Sequence, residues 1–271
     1  MDPISSPPSP PLTAMTGGSD AASNKKPAAP ALLRGAAILD LVASAPQGMT
    51  LSDIARALDL AKSTAHGLCE TLCQLDLLRL EGRGYRMGAH ALVWAQAFRS
   101  NSSVVEEFHR LIRLHPDLQH YTVSLSVLDR GDVAYLASHQ SAQPLGMTFS
   151  PGTRLPAIYT ATGKMILSLL PPAQVAEILN APWPRPLTPR SVGTPQDLQA
   201  QLARWSEQGY AVDVEEVRIG MQCLGVAILD GQGAPLGGLA LSMTLQEAQE
   251  ARLPDLAKAL QSVGGDLGRL F

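Results

Sequence analysis

The stretch TLSDIARALDLAKSTAHGLCETL, residues 50–72, decides how the rest of the chain is read. Thr50 or Ser52 can cap a helix that carries Ile54, Ala55 and Leu58 on one face, and Asp59 and Leu60 interrupt it. A second helix then runs from about Lys62 to Gln74 with Ala65, Leu68, Cys69 and Leu72 pointing inward. Two short helices joined by a tight turn predict a helix-turn-helix. The outward face of the second helix offers Lys62, Ser63, Thr64, His66 and Glu70, side chains able to touch phosphates or base edges in a major groove.

Upstream, Leu33, Ala37, Ile38, Leu41 and Val42 recur at helical spacing and predict a preceding helix, closed by Pro46, Gln47 and Gly48. Downstream, LDLLRLEGRGYRMG reads as strands at 77–80 and 85–87 around the loop Glu81, Gly82, Arg83, Gly84. That hairpin makes a winged module over residues 31–88, and its Arg79, Arg83 and Arg86 are suited to backbone phosphates. Cationic side chains beside an inserted helix fix register rather than sequence. Residues 1–30 are dominated by Pro, Ser, Ala and Gly, and too few large apolar residues offset the entropy of ordering them, which predicts a disordered tail. Residues 89–103, beginning AHALVWAQAF, predict a linker helix.

Residues 104–271 alternate strand-like and helix-like segments. YTVSLSVL alternates with period two, DRGD is a turn, and a partner strand follows from Val133. Further helices are expected at 162–170 and 194–208 and from Leu253, with strands at 221–229 and 236–242 around the turn DGQG. The fold class is therefore α+β: a winged helix-turn-helix, a linker helix, and an α/β domain with an antiparallel sheet.

The 271 residues suffice for two domains, and no apolar run approaches a membrane span or a signal peptide, so a cytoplasmic protein without membrane partners is expected. Three cysteines give neither a disulfide framework nor paired metal spacing. A net charge of −3 taken alone argues against nucleic acid, but residues 25–99 carry nine Lys/Arg against six Asp/Glu, while residues 100–271 carry twelve against sixteen. The charge average conceals a modestly basic DNA-binding third, which needs dimerisation to double its footprint.

No catalytic, metal or cofactor site is expected. Asp213, Glu215 and Glu216 place three carboxylates within four residues; in a strand 213 and 215 share a face and 216 opposes them, which suggests a solvated face with one pocket residue. Cys223 could be a nucleophile only with an activating base, and no His forms a motif with it, so a buried thiol is the better reading. Cys69 and Cys73 are read as core packing, with a redox role for Cys73 as the lesser alternative. The triplet His115-Pro116-Asp117 reads as a helix-ending turn. Met147 and Leu145 are candidate apolar walls ahead of the PGTRLPAIYTATGK segment.

The 50–72 module, the Tyr85-Arg86-Met87-Gly88 exit from the hairpin, PGTRLPAIYTATGK at 151–164 and GYAVDVEEVRIGMQCLGVAILD at 209–230 together resemble the IclR family of bacterial transcriptional regulators. The resemblance runs from about Leu32 to the C-terminus. It implies a GAF-like effector-binding second domain, assembly as a homodimer or dimer of dimers, and binding to double-stranded operator DNA. The expected function is a ligand-responsive regulator, a repressor, sensing a small organic acid. By position it implies an effector site formed by Thr160, Ala161, Thr162 and Gly163, closed by Asp213, Cys223, Ser242 and Met147. Two departures stand out: Gly67 where the family usually carries Arg, and Ala240 where it often carries Ser. The rival readings are a small-molecule enzyme built on Cys223 and Asp213, and an adaptor whose winged helix binds proteins.

Overall fold

A computed structural model describes residues 29–100, 103–141 and 149–270. The expected tail, apart from its last two residues, and the expected pocket walls Leu145 and Met147 lie outside the described residues. The chain divides into two compact units between Asn101 and Ser102.

The first unit opens with α1 (Pro30–Ala43), β1 (Met49–Thr50), α2 (Leu51–Ala57) and α3 (Lys62–Gln74). The hairpin β2 (Leu78–Glu81) and β3 (Gly84–Met87) follows, and then α4 (His90–Ser100). Thr50 is the cap of α2, its hydroxyl accepting from the Asp53 amide at 3.3 Å. Ile38, Ile54, Cys69, Leu78 and Tyr85 form the small core that binds the three helices to the wing. Beyond the expected hairpin, β1 adds a third strand in the order β1-β3-β2, pairing Met49 with Tyr85 and Thr50 with Gly84. Two residues are too few for a period-two pattern, so the sequence carried no strand signal there.

The second unit begins with α5 (Ser103–Leu114) and α6 (Pro116–Gln119), so the 115–117 triplet opens a one-turn helix directly after α5 ends. Strands β4 (Thr122–Asp129), β5 (Asp132–His139) and β6 (Arg154–Pro156) follow, then a 3-10 turn (Ala157–Tyr159) and α7 (Ala161–Leu167). Helices α8 (Pro172–Asn180) and α9 (Pro195–Gln208) precede β7 (Ala211–Val214), β8 (Met221–Leu229), β9 (Pro235–Thr244), α10 (Leu245–Glu250) and α11 (Leu253–Leu267). The six strands form one antiparallel sheet in the order β6-β5-β4-β9-β8-β7. Each hairpin pair is joined locally, and β4 meets β9 through the long excursion between them.

The two faces of this sheet differ in chemistry. Alternation sends Val123, Leu125, Leu224, Val226, Leu239 and Leu241 to one side, where α5 and α11 seal them with Phe108, Ile112, Leu260 and Val263. Burial of these apolar side chains supplies the stability of the unit. The intervening residues face α7. On that side the apolar clusters are separate: one around Val133, Tyr135, Tyr159 and Leu198, one of Ala161, Met221 and Cys223, and one of Met165, Trp205 and Ala211. Polar residues occupy the ground between them.

Candidate functional site

In the first unit, α3 presents Lys62, Ser63, Thr64, His66 and Glu70 as exposed side chains, while Ala65 and Cys69 are fully buried, as the spacing requires. Ala61 caps α3 without a side-chain acceptor, so the first-turn amides of the helix have no capping partner. Gly67 is exposed, and a Cβ added there would meet nothing within 4 Å. The missing family arginine is therefore a matter of residue choice, not of space. The wing arginines are not equivalent. Arg79 and Arg86 face each other directly across the hairpin, and both pair with Glu81, at 3.1 and 3.0 Å. Arg86 also donates to the Pro46 carbonyl at 3.2 Å, which ties the wing to the loop after α1. Arg83 sits in the turn at the tip and is exposed.

In the second unit, the start of α7 lies against the middle of the sheet because two glycines permit it. A Cβ on Gly225 would stand 2.4 Å from the Ala161 carbonyl carbon and 2.5 Å from the Thr162 nitrogen, and one on Gly163 would stand 2.2 Å from the Ala157 oxygen. A side chain on Gly225 would force the helix off the strands, and one on Gly163 would force it off the 3-10 turn before it. Thr160 caps α7, its hydroxyl accepting from the Gly163 amide at 3.0 Å. Thr162 is fully buried, and its hydroxyl has no hydrogen-bond partner.

Facing α7, Asp213 pairs with Cys223 and Cys223 with Ser242, so the three form one row across β7, β8 and β9. All three are buried, and the Cys223 sulfur lies 3.3 Å from the Ser242 hydroxyl. The structure thus brings together the Thr160, Ala161, Thr162, Gly163 turn and the Asp213, Cys223, Ser242 row on one face of one sheet. Burial pushes the Asp213 carboxyl up to about 7, the nearby Glu216 carboxylate adds to the rise, and the Glu216 backbone amide and Lys164 offset part of it. Burial also raises the Cys223 thiol, and the Asp213 charge raises it further. A thiol held protonated in this way is a poor nucleophile.

The three-carboxylate segment departs from expectation. The strand ends at Val214, and Glu215 adopts a left-handed φ of 60°, so strand parity stops there. Glu216 is buried instead of solvated and pairs with the fully buried Lys164 of α7, whose ammonium also donates to Gln201 of α9 at 2.6 Å. The other Glu216 oxygen accepts from the Val192 amide at 2.9 Å, and its own amide donates to Asp213 at 2.7 Å. Sequence reasoning missed this network. Its one available signal was a lysine in an apolar helix, KMILSLL, with no acidic neighbour. Among the described residues no group of three or more His, Cys, Asp or Glu is arranged to hold a metal ion, and no helix is long and apolar enough to cross a membrane.

Comparison with known proteins agrees with both halves of this description. The family model "Bacterial transcriptional regulator IclR C-terminal" matches residues 97–269, and the IclR helix-turn-helix domain matches residues 31–82. The HTH-type transcriptional regulator BhcR of Paracoccus denitrificans is 28% identical over 239 residues, covering 88% of this chain and 85% of its own. The crystal structure of the Agobacterium tumefaciens repressor BlcR is 40% identical with a TM-score of 0.57, covering 90% of this chain and 98% of its own. An IclR homolog from Microbacterium hydrocarbonoxydans, solved in complex with 4-hydroxybenzoate, shares the fold at 22% identity and a TM-score of 0.68, covering 88% of this chain and 98% of its own.

Proposed function

Because the chain belongs to the IclR family of bacterial transcriptional regulators, a family of DNA-binding, ligand-responsive proteins and not of enzymes, we propose the residues through which it acts and the chemistry of its effector. The helix α3 enters the major groove with Lys62, Ser63, Thr64 and His66 toward the bases. Its uncapped first-turn amides meet a phosphate, a role suited to a helix start. Arg83 at the wing tip carries the main phosphate contact of the wing, and Arg79 and Arg86 contribute less because Glu81 occupies both. Residues 31–88 form the DNA-binding domain, 89–103 the linker and 104–271 the effector domain. Two protomers on a palindromic operator double a footprint that is small for one.

The effector is a small organic acid bound between the turn at Thr160, Ala161, Thr162 and Gly163 and the row Asp213, Cys223, Ser242, with Met147 as an apolar wall. The observation that carries this reading is a buried hydroxyl without a partner, that of Thr162, at the start of a helix whose Ala161 packs against Cys223 of the buried polar row. Buried polar groups are almost always hydrogen-bonded, so an exception beside that row asks for a ligand. The homolog in complex with 4-hydroxybenzoate supports an acid as the class, and the repressor BlcR supports repression as the sign of control.

Fluorescence anisotropy on a palindromic fragment from the promoter beside the gene tests the first half. Affinity falls steeply with salt, and Arg83→Ala weakens binding uniformly across sequences while lowering the salt slope by about one. Salt-insensitive binding would refute the DNA assignment. For the second half, calorimetry with small aliphatic and aromatic carboxylates is read alongside Asp213→Ala and Thr162→Trp. If both variants bind a confirmed ligand with wild-type affinity, the site lies elsewhere.

A further inference from the structure

Four buried side-chain polar atoms among the described residues lack a hydrogen-bond partner: the hydroxyls of Ser124, Ser138 and Thr162 and the indole nitrogen of Trp205. Three of the four face the same side of the same sheet. Ser124 on β4 is 1% exposed and stands directly opposite Ser138 on β5, yet the two hydroxyls do not bond to each other. On its other side Ser124 pairs with Ala240 of β9, and Ala240 pairs with Gly225 of β8, over which the Ala161 and Thr162 backbone lies. The rung from β8 to β5 therefore reads Gly, Ala, Ser, Ser. Its side chains are small, and at the Gly225 end the α7 backbone lies directly on the strand. The two at the far end carry hydroxyls that can each donate and accept one bond.

We propose that Ser124 is a specificity-determining residue of the effector site. Its hydroxyl, with that of Ser138 beside it, binds an uncharged oxygen, a hydroxyl or a carbonyl, carried by the small acid. The proposal rests on the effector reading given above and adds to it which acids are chosen. An uncharged oxygen suits the position because the buried cation of α7, Lys164, is occupied by Glu216 and Gln201. A serine hydroxyl matches the donor and acceptor capacity of an alcohol or the acceptor capacity of a ketone. Ala240, where the resemblance leads one to expect serine, sits next to Ser124 in the register, so the hydroxyl absent from β9 is supplied one strand over.

The test is calorimetry on the full chain with matched pairs: lactate and propionate, 3-hydroxybutyrate and butyrate, 4-hydroxybenzoate and benzoate. Wild type binds the oxygenated member of at least one pair about tenfold more tightly, the ratio expected of one well-made hydrogen bond. Ser124→Ala abolishes that preference while leaving the deoxy member within about twofold, and Ser124→Ala with Ala240→Ser recovers part of it. Thermal melting without ligand shows that Ser124→Ala stays folded. Equal loss for both members, as a scaffolding or water-holding serine would give, overturns the proposal, and so does an unchanged ratio. If wild type binds no member of any pair, the effector reading itself falls and takes the proposal with it. If wild type binds but Ser124→Ala does not alter the ratio, only the proposal falls.

Discussion

Replacing Lys164 with methionine isolates the most consequential polar contact in the second unit. Lys164 is 0% exposed, and its ammonium meets Gln201 at 2.6 Å and the Glu216 carboxylate. Methionine fills similar volume and removes the charge, so the change leaves packing nearly intact while Glu216 keeps a buried carboxylate held only by the Val192 amide at 2.9 Å. Stranding one partner of a buried pair costs about 3–5 kcal/mol. At roughly 2–4 °C per kcal/mol for a unit of this size, Lys164→Met lowers its melting temperature by about 6–20 °C. Calorimetric melting resolves this transition from that of the first unit, which stays in place. Adding Glu216→Gln removes the stranded charge and recovers about half of the loss or more. A single-variant loss below about 1 kcal/mol, or a double variant no more stable than the single, would refute the assignment of a desolvated ion pair. The change also reaches the proposed effector site, because Lys164 partly offsets the rise of the Asp213 carboxyl. Its removal moves the Asp213 titration further above 7, read by the carboxyl carbon shift in NMR.

Gly225→Ala puts a methyl group 2.4 Å from the Ala161 carbonyl carbon; overpacking of this kind costs about 1–3 kcal/mol or more, and calorimetry should show effector affinity falling at least tenfold while DNA affinity stays at wild type. Gly67→Ala stabilises the first unit by about 1 kcal/mol, since a glycine in an exposed helix interior is replaced where space is open, and Gly67→Arg additionally tightens DNA binding with a steeper salt slope; both are checked by melting and anisotropy. Burial holds the Asp213 carboxyl at about 7, well above the ordinary carboxylate range near 4, so its contribution to stability is complete below about 4 and is lost as pH rises through 7. Carboxylate affinity follows the same direction, since the neutral acid donates to an anion and the carboxylate repels it. Titrations at pH 6 and 8 should show tighter binding at pH 6, and Asp213→Asn flattens the difference.

How much was legible depended on whether the controlling interaction was local. The helix Lys62–Gln74 was read to the residue, because Ala65, Cys69 and Leu72 mark its buried side and the break at Asp59 and Leu60 marks its start. The strand Met221–Leu229 was equally plain, framed by glycine turns. β1 was invisible because a two-residue strand exists only through its partner. The helices α5 and α8 escaped notice: α5 was passed over although Val104, Val105, Phe108, Leu111 and Ile112 recur at helical spacing, and α8 follows a Pro-Pro pair that reads as a break. At the proposed effector site, the resemblance supplied the residues and the register supplied the reason they meet. That Glu216 turns inward could not be read, because strand parity assumes a strand, and the chain leaves β7 one residue earlier through the left-handed Glu215. The unequal wing arginines were hidden for a similar reason: Glu81 bridges both only after the hairpin pairs Arg79 with Arg86.

The contrast between the two faces of the six-stranded sheet has an evolutionary corollary. The leucines and valines sealed by α5 and α11 form one continuous apolar core, whereas the opposite side is held by separate apolar clusters and the buried Lys164–Glu216 pair. If the proposed effector site lies there, substitutions among its small residues, such as serine for alanine at neighbouring positions of one rung, alter what is recognised while leaving the core under α5 and α11 untouched. A lineage can therefore exchange one metabolite for another by drifting through folded intermediates, without first accumulating compensating mutations. Strands that alternate residue by residue between that core and the proposed site let selectivity change within a single stretch of chain at little cost to the apolar core.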